Sequence, residues 1–146
     1  MAMKFAQGRY IPKNTEKYIG KKYPLYRSSW ELAFCRYCDE NPAIIQWASE
    51  SIRIKYRNPF KEPNRQITDY VPDFFIHYID ANGKKHYELI EIKPHKQTSI
   101  NNARSMKDKA AAALNTVKWE AARAFARAHN MKFTILTEKN MFFTGK

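Results

Sequence analysis

Val71-Pro72-Asp73-Phe74 and Ile90-Glu91-Ile92-Lys93 decide how this chain is read. Side chains along a strand alternate between its two faces. Glu91 and Lys93 therefore share one face, while Ile90 and Ile92 enter the other. Between the two stretches Asn82-Gly83 is a strong hairpin signal, because such residues accept the positive φ that a tight turn needs. Strands over about 70–79 and 85–93 are thus expected as hydrogen-bonded neighbours, with Pro94 ending the second. Two carboxylates, Asp73 and Glu91, and the ammonium of Lys93 then converge on one point.

If Phe74, Ile76 and Tyr78 fill one face of the first strand, Asp73, Phe75, His77 and Ile79 share the other. Both faces are then apolar over most of their length, as in a central strand covered on each side. A lone acid there is costly unless it is ligated or paired.

Working outward, Ser28 or Ser29 can cap a helix running from near Trp30 to about Glu40, where Asn41-Pro42 stops it. Ile44-Ile45-Gln46-Trp47 leads into Ser51–Tyr56, whose alternation predicts a first strand. Arg57 to Asp69, with Pro59 and Pro63, reads as a polar loop. Downstream, Ala110, Ala113, Leu114, Val117, Ala121, Ala124, Phe125 and Ala128 recur with helical spacing within about 105–129. Met131–Thr137 reads as a last strand that returns to the sheet by a crossover and so pairs parallel. The expected fold class is α/β, a mixed central sheet flanked by helices.

A chain of 146 residues fits one domain, since single cores commonly hold about 100–200 residues. Its 26 Lys+Arg against 14 Asp+Glu give +12, which favours a polyanionic partner. Nucleic acid leads and an anionic membrane surface comes second. No apolar run approaches the roughly 18–20 residues that span a bilayer, and no secretory signal precedes a cleavage site. The chain is therefore expected to be soluble, not secreted, and free of membrane.

Residues 1–27 carry Lys4, Arg9, Lys13, Lys17, Lys21, Lys22 and Arg27 against Glu16, interleaved with Tyr10, Tyr18, Tyr23 and Tyr26. This basic N-terminal arm suits either a grip on a phosphate backbone or a solvated extension pinned to the core by its tyrosines. Candidate DNA contacts are Arg9, Lys21, Lys22, Arg27, Lys61, Arg65 and Lys96. His95 and Gln97 flank the last of these, whereas His77 and His86 read as structural or solvated. Cys35 and Cys38 lack a second Cys/His pair at zinc spacing and read as thiols packed in a helix.

Hydrolysing a phosphodiester requires neutralising the phosphate, generating a nucleophile from water and stabilising the leaving oxygen, all of which a divalent cation can do. Mg²⁺ takes hard oxygen ligands and keeps several waters, so one to three carboxylates suffice. Asp73 and Glu91 are the expected ligands, with the Ile92 carbonyl between them; Lys93 would position the water or meet charge on the phosphate. Glu31 is either a further ligand or an ordinary first-turn glutamate favoured by the helix dipole. The bland alternative is a surface ion pair of Glu91 with Lys93, worth roughly 0–1 kcal/mol.

The order Tyr26-Arg27-Ser28-Ser29-Trp30-Glu31, Val71-Pro72-Asp73-Phe74, Glu91-Ile92-Lys93, a long helix and a strand ending Leu136-Thr137-Glu138 resembles the PD-(D/E)xK nucleases. Within that superfamily, residues 26–138 look similar to the endonuclease subunit of cut-and-paste transposons with a heteromeric transposase. The whole chain, from Lys4-Phe5-Ala6-Gln7-Gly8-Arg9-Tyr10 through Gln46-Trp47-Ala48-Ser49-Glu50, is similar to the head completion nucleases of T-even-type tailed phages. The resemblance implies a restriction-endonuclease-like core, with 28–146 as a single nuclease domain behind the arm. It also implies Mg²⁺-dependent DNA cleavage or end-trimming late in capsid assembly, after packaging. Mn²⁺ is an expected substitute. Glu31, Asp73, Glu91 and Lys93 would be catalytic acid, two metal ligands and catalytic lysine. Expected partners are DNA, phage head or portal proteins and a second copy of the chain, in host cytoplasm or virion. The competing class is a DNA-binding protein that seals the filled head without cutting; an RNA-binding module is a distant third.

Overall fold

A computed structural model describes residues 7–140. In chain order they form β1 (Gly8–Arg9), β2 (Leu25–Tyr26), α1 (Ser29–Glu40), β3 (Ile44–Ser49), β4 (Ile54–Arg57), β5 (Ile67–Tyr70), β6 (Phe74–Ile79), β7 (Lys85–Ile92), α2 (Met106–Ala128) and β8 (Lys132–Leu136). The Ser28 hydroxyl accepts the Glu31 N–H to open α1, and the Ser105 hydroxyl accepts the Asp108 N–H to open α2.

The main sheet has the order β3-β6-β7-β8. β3, β6 and β7 run antiparallel, and β8 joins β7 in parallel after the α2 crossover. This is the expected mixed sheet. One face packs against α1, where Phe34, Cys35 and Cys38 meet Trp47, Phe74, Ile76, Ile90 and Ile92. The other packs against α2, where Trp119 and Ala122 meet Leu89, Phe75, Phe133 and Ile135. β6 is therefore a central strand covered on both sides. The buried positions of α2 include Ala112, Asn115, Trp119, Ala122 and Ala126, a stripe offset from the one its alanines suggested. Both cysteines are free and fully buried, and burial pushes the Cys35 thiol up to about 12.

Two strand expectations are corrected. The stretch 70–79 is not continuous: β5 ends at Tyr70, β6 begins at Phe74, and β5 pairs with β4 in a ribbon outside the main sheet. Pro72, which has no N–H to give a ladder, sits at the break. The strand expected over 51–56 survives only from Ile54, as β4; the edge of the main sheet is β3. Alternation shows that a stretch can be a strand without saying which partner it takes. Between β3 and β4, Glu50 adopts φ 49° and donates its N–H to the Asp73 carbonyl at 3.0 Å.

The segment before α1 is docked rather than loose. Tyr10 and Tyr18 are buried in the α1-side core, Tyr18 meeting Trp47 edge-on at 4.8 Å between centroids. Tyr18 also closes over Gly20, where an added Cβ would lie 2.5 Å from the tyrosine oxygen. Lys17 Nζ donates to the carbonyls of Asp39 (3.0 Å) and Asn41 (2.8 Å), so this lysine caps the C-terminus of α1. Lys4, Phe5 and Ala6 lie outside the described residues.

Candidate active site

The break at Pro72 makes a fork in the sheet. The β6–β7 ladder ends at the pair Phe74↔Ile90, yet β7 runs on to Ile92 and remains paired to β8. The Ile92 N–H, left without a β6 partner, donates to Asp73 Oδ2 at 2.7 Å. The Asp73 N–H donates to Glu91 Oε1 at 3.3 Å, and the Tyr70 hydroxyl to the same oxygen at 2.7 Å. Lys93 Nζ stands 3.9 Å from Glu91 Oε2. The structure thus brings Asp73, Glu91 and Lys93 to one point, with Ile92 between them.

Glu91 is 4% exposed and Asp73 is half-buried. Burial, then the charge of Glu91, raises the Asp73 carboxyl well above its usual range, against the Ile92 N–H, which pulls it down. Burial also raises Glu91, although the Tyr70 hydroxyl, Lys93 and Lys118 oppose it. Burial and Glu91 lift the Tyr70 phenol so far that it stays a donor. Glu91 Oε1 and Asp73 Oδ2 are held by protein donors, while Asp73 Oδ1 has none among the described residues. Hard oxygens on two close, electrostatically strained acids fit a divalent cation such as Mg²⁺.

Glu31 sits apart from this pair. Its Oε1 accepts the Arg27 N–H at 3.1 Å, and its own N–H is held by Ser28, an arrangement close to a capping box. Its charge still reaches Asp73, whose carboxyl it helps to raise. Among the described residues no three His, Cys, Asp or Glu side chains form a metal-holding group.

The seven candidate DNA contacts are all exposed. Arg9, Lys21 and Lys22 line an open hollow of about 410 Å³ with Tyr23. Arg27 pairs with Glu50 at 3.3 Å, Lys61 and Arg65 lie in the β4–β5 connection, and Lys96 is in the turn after β7. His95 and Gln97 are anchored: the His95 N–H donates to Glu138, and the Gln97 carbonyl accepts from Asn115. His77 stacks on Tyr87 and His86 pairs with Asp80.

Sequence reasoning missed two residues. Tyr70 orients Glu91, and Lys118 of α2 stands 5.8 Å from the centroid of the Tyr70 ring. Tyr70 precedes Val71-Pro72-Asp73 directly, a proximity that offered a signal. Lys118 offered none beyond its place next to Trp119.

A family model described as TnsA-like endonuclease N terminal matches residues 41–138, the stretch that contains Asp73, Glu91 and Lys93. The chain belongs to the TnsA-like endonuclease family. The core of this TnsA-like endonuclease is restriction-endonuclease-like, with its mixed sheet between α1 and α2. The head completion nuclease of Enterobacteria phage T4 is 35% identical to it over 149 residues, covering 94% of this chain and 95% of that protein. Glu31 lies outside the TnsA-like match, whereas Tyr70 and Lys118 lie within it.

Proposed function

We propose that this TnsA-like endonuclease is a Mg²⁺-dependent deoxyribonuclease that trims or processes DNA during phage head completion, after packaging. Mn²⁺ would replace Mg²⁺. The observation that carries the chemistry is the close pair Asp73–Glu91, linked through the Asp73 N–H at 3.3 Å and flanked by Lys93. The name and near full-length coverage of the T4 relative support the biological setting.

When bound, the cation would neutralise charge on the phosphate and ease deprotonation of the attacking water. Asp73 and Glu91 would hold it, with the Ile92 carbonyl as a further oxygen and Glu31 as an outer acid. The Tyr70 hydroxyl and the Ile92 N–H fix one oxygen of each carboxylate, so the remaining oxygens are preorganised. Lys93 is near enough to Glu91 to orient a water or to meet charge developing on a phosphate oxygen. Arg9, Lys21, Lys22, Arg27, Lys61, Arg65 and Lys96 would carry the DNA backbone. Head or portal proteins and a second copy of the chain complete the proposed partners, in host cytoplasm and virion.

The test is incubation of purified protein with linear, circular and branched DNA, in Mg²⁺ or EDTA, alongside Asp73→Asn. Metal-dependent cutting that falls by at least about 10³-fold in the variant is expected. Tight, metal-independent binding without cutting would instead assign the chain to the class of DNA-binding proteins that seal a filled head.

A further inference from the structure

Lys118 has no counterpart in the motif that first marked the site. It projects from the middle of α2 over the face of Tyr70, the ring whose hydroxyl fixes Glu91. Its side chain is half-buried, yet among the described residues its ammonium has neither an ion pair nor a hydrogen bond. None of its three N–H donors is taken by a described residue, on a charge partly withdrawn from water. The Tyr70 ring supplies a cation–π contact that holds the stem but consumes none of those donors. Lys93 and Lys118 repel one another across Glu91, a carboxylate that attracts both. An ammonium so placed is relieved by an anion that arrives from outside.

We propose that Lys118 is a phosphate-binding residue of this site, donating to a backbone phosphate of the cleaved strand from the α2 side while Lys93 acts from the β7 side. The inference rests on the nuclease reading of the same acids and deepens it. The site becomes a two-sided cationic clamp around the acid pair. Its recognition is of a phosphodiester backbone, without base preference, because an ammonium on an aromatic ring meets charge and not a base edge.

The experiment compares Lys118→Met, Lys118→Arg and Lys118→Ala with the wild type, after melting curves have shown that each variant folds. Met keeps the stem over Tyr70 and removes the charge. Single-turnover cleavage of a linear duplex in Mg²⁺ is expected to fall about 10²-fold in Met and Ala alike and to recover in part in Arg. Duplex binding is measured for Lys118→Met and its parent in the Asp73→Asn background with EDTA. There the slope of log affinity against log salt should shrink by about 0.9, one phosphate contact. Cleavage by Lys118→Met at the wild-type rate, with an unchanged slope, would make the residue a packing element and overturn the inference. If the wild type cuts no DNA, the nuclease reading fails separately. The salt slope still decides, a reduced slope supporting the phosphate contact and an unchanged one overturning it.

Discussion

Asp39 and the pair Asp73–Glu91 are acids withdrawn from water in the same structure, and they differ in what meets them. Asp39, fully buried, accepts from the Tyr10 hydroxyl at 2.5 Å and from the N–H groups of Lys13 (2.7 Å) and Asn14 (3.0 Å). Burial alone would raise its carboxyl; these donors outweigh burial and hold it below the usual range. At the fork, three donors are shared between two carboxylates, and both are pushed up. A saturated carboxylate is a fastener, here binding the N-terminal segment to α1. An undersupplied pair is where the proposed cation would be held.

The largest expected effect breaks the fastener. Asp39→Ala strands a buried hydroxyl and two backbone N–H groups at roughly 1–3 kcal/mol each, so stability should drop by about 3–5 kcal/mol. A melting curve should show a fall of roughly 10–15 °C. A fall below about 3 °C would mean that the donors had found other acceptors and that Asp39 was no fastener.

The opposite sign is expected at the fork. In EDTA, Asp73→Asn should raise the melting temperature while abolishing cleavage, because it removes a charge that burial and then Glu91 disfavour and keeps an oxygen for the Ile92 N–H. A lowered melting temperature would show the pair to be fully compensated. The gain should also depend on pH. Asp73 and Glu91 have folded values above their unfolded ones of about 3.9 and 4.3. Their stabilising contribution is complete below those values and is lost as pH rises through the folded ones. The gap between Asp73→Asn and wild type should therefore be widest at neutral pH and close as pH falls toward about 4. Asp39 works the other way, its contribution complete above about 3.9 and lost as pH falls through its lower folded value. Thermal melts across pH in EDTA read both. A pH-independent gap would remove charge repulsion as the cause.

The smallest effect belongs to a third kind of acid. Asp69 meets Lys55 at 2.9 Å and Arg53 at 3.6 Å, but those cations are three-quarters exposed. Asp69→Asn should leave the melting temperature unchanged within about 1 °C.

Much of this was legible from local pattern. The facing of Glu91 and Lys93, the Asn82-Gly83 turn, both helices and the parallel return of the last strand follow from period and turn chemistry, and each stands in the structure. What escaped was set by pairing over distance. Ile44–Ser49 and Ile54–Arg57 both satisfy strand period, and only tertiary contacts send one to the main sheet and the other to a ribbon. Of the arm's tyrosines, nothing local distinguishes Tyr10 and Tyr18, which are buried, from exposed Tyr23. Nothing local marks Lys118, which stands beside Trp119 of the buried stripe on an alanine-rich helix. Glu31 was legible both as a further ligand and as a first-turn glutamate; it accepts the Arg27 N–H, and its charge reaches Asp73.

The bond from the Ile92 N–H to Asp73 Oδ2 also bears on solubility. Past Ile90, β7 has no β6 partner, and without Asp73 the Ile92 N–H would be an unpaired donor on a sheet margin, the kind of template that recruits a strand from another molecule. The acid that would hold the cation also stoppers that margin. Asn at this position keeps the stopper and Ala removes it, so an inactive protein made by truncating Asp73 carries a self-association hazard that an amide replacement does not.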